Sequence, residues 1–154
     1  MLKVPLQQSW PMPTLPRPIV IFGAGSIVKD AHIPAYQAVG FPIAGVYDID
    51  IAKAKSIGHY FDIPVFTTLE GAVSQSDAIF VLATPPSSHH RVLNALPEGS
   101  FVLIQKPMGS TLEGATSILK LCESRDLQSC VNFQLRFAPV MLALKDLCNE
   151  GLLG

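Results

Sequence analysis

From Pro18 onward the chain alternates between short, almost purely apolar runs and longer stretches whose apolar residues recur at helical spacing. The clearest runs are Ile19-Val20-Ile21-Phe22, Ala78-Ile79-Phe80-Val81-Leu82 and Phe101-Val102-Leu103-Ile104. A strand with one wet face alternates apolar and polar residues; a strand covered on both faces reads as these do. Ile43 to Tyr47 is a second strand, Val65-Phe66 a shorter third, and Cys130 to Phe133 the last. Between the runs, Ile51, Ala54, Ile57 and Phe61 share one helical face behind Asp50, a capping residue. Leu112, Ala115, Ile118, Leu119 and Cys122 form another such face. Val92, Leu93 and Leu96 mark a further helix, and Val140, Met141, Leu144, Leu147 and Cys148 one more. Thr67 with Glu70, and Ser110 with Glu113, have capping-box spacing. Strand and helix in alternation imply right-handed crossovers and an α/β fold with an open, doubly wound parallel sheet.

Composition limits what such a domain does. Of 154 residues, 49% are hydrophobic and only 15% charged, so a core forms easily and disorder is excluded. A net charge of −1 gives no basic surface for nucleic acid or anionic lipid. The apolar runs are too short to span a bilayer, and the N-terminus has no apolar segment of the secretory kind. Cys122, Cys130 and Cys148 include no C-x-x-C pair and read as reduced, mostly core thiols of a cytoplasmic protein. No ligand cluster for a metal is expected, since the adjacent His89 and His90 point in different directions. Residues 1–17 carry Pro5, Pro11, Pro13 and Pro16 and read as an extended tail, docked through Trp10.

The chemistry-bearing residues all follow strands. After the first comes Gly23-Ala24-Gly25-Ser26-Ile27-Val28. Gly23 permits a tight turn and Gly25 a close approach of pyrophosphate to backbone, although Val28 replaces a third glycine. Pro34 interrupts a helix running straight from Gly25, so the expectation is a longer turn with regular helix starting near Ile33-Pro34. Asp48 closes the second strand where a carboxylate meets adenosine ribose hydroxyls; Asp50 is the better cap, which leaves Asp48 free. Thr84-Pro85-Pro86-Ser87-Ser88-His89-His90 follows the central strand, with the serine hydroxyls expected to cap the next helix. Gln105-Lys106-Pro107 follows the next strand and brings an amine to the same sheet edge.

These five segments, in this order from about Pro18 to Pro139, resemble the Gfo/Idh/MocA-type NAD(P)-dependent oxidoreductases. The last of them runs from Asn132 to Pro139 around Arg136. The resemblance implies a Rossmann dinucleotide-binding domain over residues 18–134. Residues 135–154 then form a linker helix and the start of a C-terminal substrate domain that the chain, ending at Gly154, lacks. By position it implies Gly23, Gly25, Ser26 and Ile27 along the pyrophosphate and Asp48 on the adenosine ribose. Thr84, Pro85 and His89 border the nicotinamide half, Lys106 serves as catalytic lysine beside the cofactor, and Arg136 either lies near the substrate entrance or has a structural role in the inter-domain linker. Gln105 stands where the family usually has glutamate. The implied partner is a small sugar or polyol, in an assembly that includes homo-oligomers. The expected cofactor is NAD(H), with NADP(H) as the alternative, because no arginine follows Asp48 in its turn. A non-catalytic NAD(H)-binding or regulatory module is the competing reading. A methyltransferase using S-adenosylmethionine shares the glycine turn but finds no support in Gln105-Lys106-Pro107.

Overall fold

Strands β1 (Ile19–Phe22), β2 (Ile43–Tyr47), β3 (Ile79–Leu82), β4 (Phe101–Gln105) and β5 (Gln128–Asn132) make one parallel sheet ordered β2-β1-β3-β4-β5. The structure, a computed structural model, describes residue 6 and residues 9–152. They divide into two compact units, one of them Pro16–Asn132. From β1 the chain moves one way to β2 and then returns to the other side of β1 for β3. The sheet therefore reverses direction of winding between β1 and β3.

The apolar runs explain why both faces are covered. Along β1, Val20 and Phe22 enter one layer with Phe80, Leu82, Val102 and Ile104, under helices α4 (Pro86–Ala95) and α5 (Leu112–Ser124). Ile19 and Ile21 enter the opposite layer with Val46, Val81, Val28 and Ile33, against helix α2 (Ile51–Phe61). Each fully buried aliphatic or phenyl side chain is worth about 1.5–3 kcal/mol, so four in a row tie β1 into the centre.

Several local expectations are corrected. Val65-Phe66 is no strand: Val46 N donates to Pro64 O (3.0 Å) and Phe66 N to Val46 O (2.9 Å), leaving a single bridge between Val46 and Val65. Pro64 has no N–H with which to extend it. The segment before Pro34 is helical rather than a long turn. Val28–His32 is a π-helical turn in which Ile33 N donates to Val28 O, and α1 (Ile33–Ala38) follows with Pro34 in its first turn. The wider turn accommodates the proline ring that a regular helix would press against the carbonyl one turn back. Helix α3 (Leu69–Val73) is capped by Thr68 and α5 by Thr111, whose hydroxyls accept from Gly71 N and Gly114 N, both at 3.1 Å. The caps thus sit one residue beyond Thr67 and Ser110. Asp50 caps α2 as expected, accepting from Ala52 N and Lys53 N. Ser87 and Ser88 lie inside α4, and Ser88 Oγ donates back to Pro85 O at 2.7 Å instead of capping. Of the cysteines only Cys122 is buried: Cys130 is exposed on the edge strand β5, although partial desolvation of its thiol by neighbouring atoms pushes the pKa up, and Cys148 is exposed on a later helix.

The second unit gathers the described residues before Pro16 with those from Phe133 onward. It holds a 3-10 turn, Gln134–Phe137, and helix α6 (Pro139–Asn149). Trp10 packs edge-on against Phe137 with ring centres 5.3 Å apart.

Candidate functional site

A cleft of about 470 Å³ opens at the carboxyl edge of the sheet, where its winding reverses. That volume lies in the range of roughly 300–1,000 Å³ usual for small-molecule sites. The loops after β1, β2 and β3 supply its walls: Gly23, Gly25, Asp48, Thr84 and Pro85 all line it.

The two glycines do different things. Gly23 is buried at φ +106°, and a Cβ there would lie 2.4 Å from the Ala83 carbonyl oxygen. Its amide donates to Tyr47 O at 2.7 Å, so the turn is pressed between β2 and β3. Gly25 is exposed on the cleft wall, and a Cβ there would meet nothing within 4 Å. Helix begins just after it: Val28 N and Lys29 N both donate to Gly25 O. The first-turn amides of Gly25, Ser26 and Ile27 have no carbonyl one turn earlier in the helix. Such a helix start favours an anion.

Asp48 is half-buried and not free. One carboxylate oxygen accepts from Ala24 N at 2.7 Å and the other from Asp50 N at 2.8 Å. The side chain therefore ties the glycine turn to the loop after β2. Each oxygen keeps a second lone pair for a hydroxyl donor.

Thr84 Oγ1 is buried in the cleft wall without a hydrogen-bond partner among the described residues. An orphaned hydroxyl costs about 1–3 kcal/mol and points to a ligand atom. His89 is wholly buried beneath the cleft. Its Nδ1 lies 2.9 Å from Met108 O and its Nε2 3.0 Å from Thr84 O, so the ring braces the loop after β3 against the loop after β4. A neutral imidazole has one N–H to offer these two acceptors. Lys106 is exposed one residue past β4 and is not part of the cleft lining. Beside it, Gln105 Oε1 accepts from Asn132 Nδ2 at 3.2 Å while its Nε2 is buried without a partner among the described residues. Ser26 and Ile27 are exposed in the first helical turn, outside the lining. Arg136 belongs to the 3-10 turn of the second unit.

Farther along the same helical segment, burial pushes the His32 imidazole down and the Tyr36 phenol up to about 12. Among the described residues no group of three or more His, Cys, Asp or Glu side chains could hold a metal ion. Nor, among those residues, is any helix long and apolar enough to cross a membrane. Lining residues absent from the sequence-based set include Tyr47, Ile49, Lys53, Ser88, Arg91 and Val92. Their only advance signal was position: Tyr47 and Ile49 flank Asp48, while Ser88, Arg91 and Val92 share a helical face.

A family model described as an oxidoreductase family with the NAD-binding Rossmann fold, GFO_IDH_MocA, matches residues 17–133. The chain belongs to this oxidoreductase family. Among similar proteins of the family, glucose-6-phosphate 3-dehydrogenase of Bacillus subtilis is 30% identical over 138 residues, 88% of this chain and 39% of that protein. UDP-N-acetylglucosamine 3-dehydrogenase from Acidithiobacillus ferrooxidans shares the fold, with a TM-score of 0.73 at 22% identity over 86% of this chain and 42% of that one. So does a 3-ketoreductase variant from Actinomadura kijaniata solved with TDP-benzene and NADP, with a TM-score of 0.71 at 20% identity over 90% and 43%. The chain thus spans about two-fifths of the length of the relatives it matches.

The cleft fits the dinucleotide that the family's fold takes. Gly25 leaves bare backbone where a phosphate would approach, Asp48 offers lone pairs to a ribose, and Thr84 holds an unused hydroxyl farther along the edge.

Proposed function

We propose that this chain is the NAD(H)-binding part of a dehydrogenase acting on an alcohol carbon of a sugar or polyol. The observation that carries this reading is the Asp48 carboxylate, anchored to both Ala24 N and Asp50 N beside the open face of Gly25. A bound nicotinamide supplies hydride acceptance or donation. The chain's own residues supply position. First-turn amides at Gly25, Ser26 and Ile27 receive the pyrophosphate, and Asp48 receives the adenosine ribose. A 2′-phosphate on that ribose would meet the fixed carboxylate as a like charge, which favours NAD(H) over NADP(H). Thr84 and Pro85 border the nicotinamide half, and His89 holds their loop in place from below. Lys106 is the residue assigned to the reacting end: its ammonium hydrogen-bonds the substrate hydroxyl and steadies the charge that develops as hydride moves.

Calorimetric titration of the chain with NADH and NADPH tests the reading. NADH should bind more tightly, Asp48→Ala should erase the preference, and Lys106→Ala should leave NADH affinity nearly unchanged. Equal or tighter binding of NADPH to the unaltered chain removes the selectivity argument. No binding of either nucleotide removes the cofactor assignment.

A further inference from the structure

One cation in the cleft wall has no work assigned to it. Arg91 projects from α4 on the same face as Ser88 and Val92, which also line the cleft. The same cleft is lined by Ile49, 75% exposed although apolar, and by Leu69 at the start of α3. Lys53, the other cationic lining residue, is drawn to Asp50 at 3.6 Å. Among the described residues Arg91 enters no such ion pair or side-chain hydrogen bond.

We infer that Arg91 lies flat against the adenine ring of the bound nucleotide, with Ile49 as the apolar surface opposite. The inference rests on the dinucleotide reading above and adds the group that holds the base. A ribose held through its hydroxyls by Asp48 carries its base on the neighbouring ring carbon. The base therefore falls beside Asp48, on the side away from the glycine turn. Ile49, Leu69, Arg91 and Val92 are the lining residues available there. Three of these are apolar and suit the faces and edges of an aromatic ring. The fourth is a planar, weakly hydrated cation that stacks on π-faces better than an ammonium does. An exposed isoleucine directly after the ribose-binding carboxylate is also explained, because the base covers it.

The test measures binding, not turnover, with NADH, AMP and reduced nicotinamide mononucleotide as ligands. Arg91→Ala should weaken NADH and AMP alike by roughly 3- to 30-fold, the scale of a cation–π contact. It should leave the mononucleotide, which has no adenine, unchanged. Arg91→Tyr should recover most of the loss, because it restores a flat surface, and Arg91→Lys should recover little. The inference is overturned if Arg91→Ala binds AMP as the unaltered chain does. It is overturned equally if lysine rescues and tyrosine does not, which would make Arg91 a phosphate contact. Failure of the unaltered chain to bind NADH is a separate result, and refutes the dinucleotide reading together with this one. Arg91 is exposed, so its variants should fold, as circular dichroism would verify.

Discussion

Gly23 and Gly25 stand two residues apart in the same turn, and the structure gives them opposite constraints. Gly23 is constrained by the protein: its positive φ and the Ala83 carbonyl 2.4 Å from a would-be Cβ leave no room for a side chain. Gly25 is constrained by nothing among the described residues, because the space beside it is open cleft. Gly23→Ala should therefore lower unfolding free energy by about 2 kcal/mol or more, from strain at a left-handed position plus a backbone clash. Gly25→Ala should change stability by under about 0.5 kcal/mol, yet weaken NADH at least several-fold by filling the path of the pyrophosphate. Urea denaturation and NADH titration of both variants check this. Reversed effects would mean that the second glycine serves the fold and not a ligand. Their order after β1 assigns the turn to Gly23 and the open approach to Gly25, but the contact that enforces the difference comes from Ala83, just past β3 and sixty residues away in the chain. Asp48 teaches the same lesson: its position after β2 was legible, but its bond to Ala24 N depends on how two loops meet.

At the scale of elements, apolar patterning marks the inner strands β1, β3 and β4, because burial on both faces writes itself into composition, and it marks the major helices. The more exposed edge strand β5 begins at Gln128, two residues before the run Cys130 to Phe133. Patterning did not set the ends of these elements. Both short-range capping signals were read one residue early, since Thr67 and Thr68, and Ser110 and Thr111, are adjacent hydroxyl residues with equal claims. The structure resolves the choice: Thr111 accepts from Gly114 N, which places Glu113 at the second helical position. There its carboxyl is held below the ordinary range by its own backbone amide and by Thr111. Thr111→Ala should accordingly destabilise the protein by about 1 kcal/mol, the usual loss of a threonine cap, while Ser110→Ala should cost a few tenths at most. Chemical denaturation midpoints compare the two directly, and a larger effect at Ser110 would return the cap to that residue. The π-helical turn before Pro34 was half legible. Proline announced the break, but whether the chain would leave the helix or widen it depended on the burial of Val28 and His32.

For the whole molecule, what matters is the apolar surface that the described residues do not cover. The periodic pattern at Val140, Met141 and Leu144 reads as the core face of a helix, yet in α6 these residues are 71%, 43% and 42% exposed. Before them in the chain, Phe133 and Leu135 are 60% and 73% exposed. A helical stripe with apolar spacing that meets water is a surface built to be covered. The matched region makes up 39% of one such relative, and the stripe is patterned for a burial that the described residues do not supply. Left uncovered, such a stripe favours self-association, because each buried Å² of apolar area is worth about 25 cal/mol. Sedimentation velocity of this chain should show a mean mass that rises with protein concentration. The double change Leu135→Ser with Val140→Ser should return it toward the monomer. The same change should leave NADH affinity untouched, because the cleft lies in the unit Pro16–Asn132. A mass that stays monomeric across the accessible concentration range would show that the stripe is tolerated in water as it stands.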